Sequence, residues 1–425
     1  MLYIEAGQLF NYLKRHASLT GIQRLTLACA KHLHLALGPD QIRLLAYDGR
    51  SASFFSAPAD IFNSSDALEH VRLNIGSKLW EKARISSADT VLLTETWWWP
   101  EGIGEATLKL KQESGARFIR FIHDVIPVVA PRYVSEKVSE KFRRGLIEAI
   151  KSANIVLTNS KASRHDLALI LEKEGIKTPN IKVVPLAHEF EEQQPFRRPA
   201  AFWLPSYWKM RGRKPRLMRL LEQMRHHPHI VCVGTIEPRK NVLRLLKAFA
   251  TLNARLGDRM PRLVLAGRWG WNFHEIRAFL KSTRNIDGKV ELLLGFDDEA
   301  LKAIYENCLF TVYLSHYEGW GLPVGESMWF GKPVIASNTS SIPEVGGKLV
   351  DYVDPDDQDD IVANIEKLIL DKAHREKRIA ALKAARLRTW DDFAEDLISA
   401  IDMKPKLLVD LTLPSSRKVP APKRR

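Results

Sequence analysis

The sequence of 425 residues predicts an α/β protein built on two doubly wound parallel sheets. Two observations carry that expectation: short, almost uninterrupted apolar runs alternate with helix-period segments in each half, and a stretch of quite different composition separates the halves. In the first half the strand-like runs are LYIEA (2–6), IRLLAY (42–47), DTVLLT (89–94), RFIRFIHD (117–124) and NIVLTNS (154–160), with helical stretches at 136–151 and 160–174. The second half repeats the theme with IVCVG (230–234), LVLAG (263–267), VELLLG (290–295), LFTVYLS (309–315) and PVIAS (333–337). Helical stretches fall between them at 241–256, 273–284, 298–307 and 323–330. Runs that are apolar throughout suit parallel strands covered on both faces, and such sheets take ligands outside the carboxyl ends of their strands.

The stretch between the halves, EEQQPFRRPAAFWLPSYWKMRGRKPRLMR, is rich in proline, charge and aromatic rings and reads as a linker or insertion. The expected organisation is an N-terminal domain at 1–190, a basic aromatic linker at 191–228 and a C-terminal domain at 229–384. A terminal helix at 385–402 and a basic, proline-containing tail at 403–425 follow.

Composition narrows the class. Hydrophobic residues make up 45% and charged residues 27%, which excludes disorder as the dominant state. Cys29, Cys232 and Cys308 form no C-x-x-C pair, which excludes a disulfide scaffold and a cysteine zinc module and fits a reducing compartment. The first residues carry no basic region followed by an apolar block, and no apolar run nears the roughly 18 residues of a membrane span. The expected location is cytoplasmic. The net charge of +14 resides in two segments, 197–225 at +8 and 403–425 at +6, so it is a property of those patches and not of the fold.

The stretch most informative about chemistry is Ser315–Ile342, SHYEGWGLPVGESMWFGKPVIASNTSSI. A strand runs into a loop holding Glu318, Gly319 and Gly321, and a helix starts near Pro323, a favoured first-turn position for proline. Glycines let a backbone come close to a ligand, and a helix N-terminus favours an anion, so a diphosphate suits this loop. Glu326, one turn into the helix, could accept hydrogen bonds from ribose hydroxyls, and Glu318 points to the same crevice. Read alone, the loop is equally a tight strand–helix turn with Glu326 as a first-turn acid.

EGWGLPVGE, with Glu318 and Glu326 separated by seven residues, resembles the E-x7-E signature of retaining GT-B glycosyltransferases of family 4. The resemblance continues through GTIEPRKN (234–241), LVLAGRWGW (263–271), LLGFDDEALKAIYENC (293–308) and IASNTSSIPEVGG (335–347). HDVIPVVAPRYVS (123–135) and TNSKASRHDL (158–167) extend it upstream. It is nearly complete over 230–355, patchier over 1–190 and absent from 191–225 and the tail.

What the resemblance implies is a GT-B architecture: two Rossmann-like domains facing a cleft, acceptor on the first and nucleotide sugar on the second. Arg239 and Lys240 match the basic pair that stabilises the departing diphosphate, a task suited to cations. Many members carry an arginine directly after the strand glycine where this chain has Thr235, and Arg239 is the expected substitute. Glu318 matches the glutamate near the donor sugar's ring hydroxyls, and Gly321, Leu322, Pro323 and Val324 would face sugar and phosphates through backbone groups. His123 matches a histidine that hydrogen-bonds the donor sugar or orients the acceptor. Asp124 is either a cap of the following turn or a substrate contact. Gly21 resembles the N-terminal glycine whose backbone nears the phosphates, with Gln23 and Arg24 simply beginning a helix. Gly295 and Phe296 match the segment that receives the base. No metal site and no cofactor are expected, because the basic pair replaces a divalent ion; His226, His227 and His229 read as solvated residues of the linker.

The same resemblance points to transfer of a hexose onto a growing glycan in surface polysaccharide assembly, with GDP-mannose as first donor and a polyprenyl-diphosphate-linked acceptor. Trp97, Trp98 and Trp99 follow a strand and could stack on the acceptor, although three adjacent rings cannot share one face and at least one is core. Phe202, Trp203, Tyr207 and Trp208 are interleaved with basic residues, a pattern that suits an anionic membrane surface, single-stranded nucleic acid or a solvated insertion. With a lipid-linked acceptor the membrane reading is preferred and no nucleic acid is expected. The alternatives are a hydrolysing nucleotide-sugar epimerase of the same fold and a catalytically silent relative binding nucleotide sugar or nucleic acid.

Overall fold

The computed structural model describes residues 1–13, 19, 21–59, 80–97, 101–191 and 214–404. Among these, the first half forms an eight-stranded sheet from β1 (Leu2–Glu5), β2 (Ile42–Asp48), β3 (Ser53–Pro58), β4 (Glu81–Lys82), β5 (Thr90–Leu93), β6 (Arg117–Ile122), β7 (Ile155–Thr158) and β8 (Asn180–Val183). Its order is β4-β3-β2-β1-β5-β6-β7-β8. All pairings are parallel except β2–β3 and β3–β4, so this sheet is mixed at one edge and not wholly parallel as expected. For β2–β3 the reason is local. Asp48 accepts the backbone N–H groups of Arg50 and Ser51, closing a tight turn, and so short a return can only pair antiparallel.

The second sheet holds β9 (His229–Ile236), β10 (Arg262–Trp269), β11 (Val290–Leu294), β12 (Phe310–Tyr313), β13 (Val334–Ser337) and β14 (Asp351–Val353) in the order β11-β10-β9-β12-β13-β14. Every described pairing in it is parallel, with the two-way winding typical of dinucleotide-type folds. Its strands read as continuous apolar runs because both faces are covered; Ile230 and Leu265, for instance, lie in one apolar layer and Val231 and Val264 in the other.

Helices pack on both sheets. Those that bear on the site are α1 (Gly7–Leu13), α2 (Gly21–Leu37), α3 (Lys161–Lys173), α4 (Lys214–His226), α5 (Asp298–Asn307), α6 (Leu322–Trp329) and α7 (Trp390–Ala400). Helix α4 falls within the stretch read as linker, yet its Leu220 and Met224 are buried against Val231 and Tyr305 of the second sheet's layer. His229 departs from the solvated expectation: it opens β9, is buried, and its Nδ1 lies 2.7 Å from the His227 carbonyl. His226 is exposed beside Glu222. Residues 192–213 and 405–425, with Trp98 and Trp99, lie outside the described residues; Trp97 is buried in the first domain against Phe142.

Helix α7 returns to the first domain. Thr389 and Asp392 cap it reciprocally, and its Trp390, Phe393, Leu397 and Ile398 face the core shared with Leu25 and Leu33 of α2. Arg117 and Lys182 donate to the carbonyls of Ile401 and Ala400 at 2.8 and 2.7 Å, bringing cations to the helix C-terminus. No helix among the described residues is long and apolar enough to cross a membrane.

Replacing Phe393, which is fully buried, by alanine should cost about 3–5 kcal/mol of stability. Urea unfolding is the check. A loss of less than about 1 kcal/mol would mean that α7 lies loosely on the surface.

Candidate active site

Strand order reverses at β1 in the first sheet and at β9 in the second, and residues following the carboxyl ends of β6 and β12, one from each sheet, line a common cavity. The segments after β6 and β12 touch there. A Cβ on Gly319 would sit 2.2 Å from the His123 carbonyl oxygen, so only glycine allows this approach. Between the sheets lies a cavity of about 510 Å³. Gly21, Arg24 and His123 line it from the first domain, and Lys240, Glu318 and Glu326 from the second.

The centre of the second domain's wall is a buried charge cluster. Glu318 follows β12, and a short 3-10 turn (Pro238–Lys240) after β9 brings Arg239 and Lys240 within 2.9 and 2.5 Å of its Oε1. Burial alone would raise the Glu318 pKa, but the two cations overcome it and hold the carboxyl down at about 2. The turn is fixed to the strand end it serves: His316 N–H donates to the Arg239 carbonyl at 2.9 Å, and the Arg239 guanidinium donates to the Tyr317 carbonyl at 2.7 Å. Lys240 also donates to the Tyr313 hydroxyl at 2.5 Å, its ammonium 4.8 Å from that ring's centre.

Helix α6 begins at the cavity. Gly321, with φ +105°, precedes Leu322 and Pro323, no side chain caps the helix, and all three line the cavity. Glu326, one turn in, accepts the Tyr305 hydroxyl at 2.9 Å, and burial raises its pKa against the opposing effect of Arg24. Arg24 crosses the cleft to pair with Asp298 at the start of α5. Gly295, with φ +65°, and Phe296 form part of the same wall. Val324 departs from its expected place: it is fully buried in the core, and its N–H donates to the Gly321 carbonyl at 3.0 Å.

On the opposite wall, the His123 Nε2 lies 2.7 Å from the Thr94 carbonyl. A carbonyl only accepts, so Nε2 carries the proton. Burial lowers the imidazole pKa to about 4, so the ring is neutral at pH 7 and acts as a hydrogen-bonding group rather than a cation. Asp124 accepts the Ile126 N–H at 3.0 Å as a turn cap and also lines the cavity.

With this geometry in view, comparison with known proteins is direct. The family described as glycosyl transferases group 1 matches residues 222–386. That match lies wholly within the second half of the chain. Over 389 residues, 90% of this chain and 96% of the relative, the sequence is 27% identical to the O-antigen chain mannosyltransferase B of Escherichia coli. Among solved structures, sucrose-phosphate synthase from Thermosynechococcus elongatus superposes with a TM-score of 0.61 at 16% identity, covering 94% of this chain and 98% of that one. An Escherichia coli structure described as trehalose-6-phosphate bound with UDP-2-fluoro glucose gives 0.60 at 14% identity over 95% and 100% of the two chains. Those structural likenesses speak to the fold, which is GT-B.

Within the matched segment, two cations stand differently from the expectation. Arg239 is turned away from the 510 Å³ cavity; it lines a neighbouring one and braces Glu318 and Glu237. The cation that does line the large cavity, besides Lys240 and Arg24, is Arg268. It stands opposite Thr235 in the β9–β10 register, so the neighbouring strand supplies the positive charge that β9 lacks after Gly234. A basic residue directly after LVLAG was the available signal, and only the pairing of β9 with β10 gives it meaning. Arg24 was visible only as a helix-start residue. Two of the glycines serve packing: a Cβ on Gly325 would lie 3.1 Å from the His188 Cα, much as Gly319 meets His123. Among the described residues, no group of three or more His, Cys, Asp or Glu side chains is placed to hold a metal.

The Glu318→Gln variant should lose about 3–5 kcal/mol at pH 7, because it leaves Lys240 and Arg239 undercompensated. The Glu318 pKa is depressed in the fold, so its contribution is whole above about 4.5, the ordinary value, and fades as pH falls toward about 2. Urea midpoints of wild type and variant should therefore differ most at neutral pH, begin to approach each other below about 4.5 and converge as the pH nears about 2.

Proposed function

We propose that the protein is a retaining glycosyltransferase that moves a hexose from a nucleotide sugar, GDP-mannose first among donors, to a growing lipid-linked glycan of a surface polysaccharide. The observation that carries this reading is the convergence of Lys240, Glu318, Glu326 and the start of α6 on one cavity lined from both domains. The mannosyltransferase name of the Escherichia coli relative supports the sugar, and the UDP-sugar in the solved Escherichia coli structure supports the donor class.

In this reading the diphosphate lies against Lys240, Arg268 and the N-terminus of α6, where positive charge offsets the negative charge developing on the leaving group. Glu326 accepts from ribose hydroxyls. Glu318, ionised throughout the physiological range, lies beside the sugar ring, and the neutral His123, its Nε2–H held by the Thr94 carbonyl, offers Nδ1 as an acceptor to a sugar hydroxyl from the other wall. The bond from the anomeric carbon to the donor phosphate oxygen breaks as that carbon bonds to the acceptor oxygen on the same face. The acceptor's proton passes to the departing phosphate oxygen, so the configuration is retained. Catalysis needs no metal or cofactor in this scheme, and the charge on 197–225 and 403–425 is what supports docking on the anionic inner face of a membrane, in the cytoplasm.

Thermal unfolding with GDP, UDP, ADP and dTDP tests the donor. At a concentration about 100 times its dissociation constant, GDP should add about 2.7 kcal/mol and raise the midpoint by a few degrees, and Glu326→Ala should abolish the shift. A shift with none of the four would overturn the reading. With GDP-mannose as substrate, Lys240→Ala should lower kcat about 100- to 1000-fold with a smaller change in KM. The anomeric configuration of the product, read by NMR, decides retention.

A further inference from the structure

A second cavity of about 570 Å³ adjoins the first, and Asp124, Thr235 and Arg268 belong to the walls of both. Both domains build it. Tyr133 and Pro127 come from the segment after β6, and Glu237, Arg239, Trp269 and Trp271 from the ends of β9 and β10. Trp271 stands 61% exposed, an unusual setting for the largest apolar side chain. Its neighbours are themselves fixed. Trp269 packs on Phe273 with ring centres 5.0 Å apart, and Tyr133 stacks on His316 at 5.8 Å. Gly270 lies so close to Glu237 and Thr235 that a Cβ there would come within 2.5 Å of both side chains. The backbone carrying Trp271 is thus pressed onto the floor of the cavity. Glu237 is buried and paired with Arg239 at 2.7 Å, which holds a carboxylate and a guanidinium beside the aromatic rings.

Aromatic faces beside fixed carboxylate and guanidinium groups are what a neutral sugar needs. Its C–H face lies on a ring, and its hydroxyls both donate and accept. The chamber sets two carboxylates, Asp124 and Glu237, against two guanidinium groups, Arg239 and Arg268, so its charges offset one another and suit an uncharged guest. We infer that the second cavity is the acceptor subsite, which holds the terminal hexose of the acceptor glycan against Trp271 and leaves one hydroxyl directed past Asp124 and Arg268 toward the donor. The inference rests on the glycosyltransferase reading above and adds the residues that would select the acceptor.

An α-linked mannotriose is the probe, with transfer from GDP-mannose measured in wild type, Trp271→Ala and Trp271→Phe. Trp271 is largely exposed, so neither variant should endanger folding. The expected result is a rise in KM for mannotriose of about tenfold or more in Trp271→Ala, with recovery of most of it in Trp271→Phe. The GDP-induced thermal shift should be unchanged in both. An unaltered mannotriose KM in Trp271→Ala, or no saturable use of mannotriose by a wild type that binds GDP, would overturn the acceptor subsite and leave the donor reading standing. A wild type that binds no nucleotide would remove both.

Discussion

A carboxylate almost sealed from water is expensive unless cations meet it, and Glu318 is met by two. Much else in the second domain follows from that requirement. Arg239 and Lys240 can reach Glu318 only if the turn after β9 lies against the segment after β12, which requires those strands to be neighbours in the sheet. They are, and the pairing places the reversal of strand order there. The backbone bonds from His316 to Arg239 and from Arg239 to Tyr317 then hold the turn in place. Sheet order, the 3-10 turn and the buried ion cluster are thus one arrangement, and none is satisfied without the others.

The same edge also fixes the relation between the two domains. Glu344, in the SSIPEVGG stretch, accepts the N–H groups of Lys161 and Ala162 at 2.8 Å each, so a carboxylate of the second domain caps helix α3 of the first. Tyr317 donates to Asp166 on that helix. Ser163 lies within 3.4 Å of the carbonyls of both His123 and Gly319. Two motifs far apart in sequence, TNSKASRHDL and SSIPEVGG, are therefore halves of one interface. Their residue types make sense as caps and close contacts, and their service to the site is indirect: they bring His123 opposite Glu318.

How legible this was depends on the kind of information each feature carries. Strands such as IVCVG and LVLAG were plain because a strand buried on both faces needs an unbroken apolar run. The β3 strand, SFFSAP, lies next to the sheet edge and alternates half-buried and buried residues over its first four positions, and the edge strand β4 spans two exposed residues, so neither offers a run to see. The helix start at Leu322–Pro323 was readable from proline and glycine alone. The glycines themselves said only that something comes close: at Gly319 and Gly325 it is the protein's own backbone. Arg239 and Lys240 looked equivalent as adjacent letters, yet the turn sends them to different cavities. Arg268 gains its role from register, which no single segment encodes.

The pairing of Lys240 with Glu318 bears on chemistry as well as on folding. Burial lowers the Lys240 pKa and the neighbouring Arg239 lowers it further; the Glu318 charge is the opposing influence that favours the ammonium form. A lysine serves a departing diphosphate only while it is charged, and it must be desolvated for its field to be strong there. Those two needs conflict at an isolated buried lysine. A fixed carboxylate on the side of the ammonium shared with Tyr313 opposes both effects and favours the charged form of Lys240. In the proposed transfer Glu318 therefore need not form a bond with the sugar, because favouring the ammonium form of its neighbour already gives an ionised glutamate a part at that position.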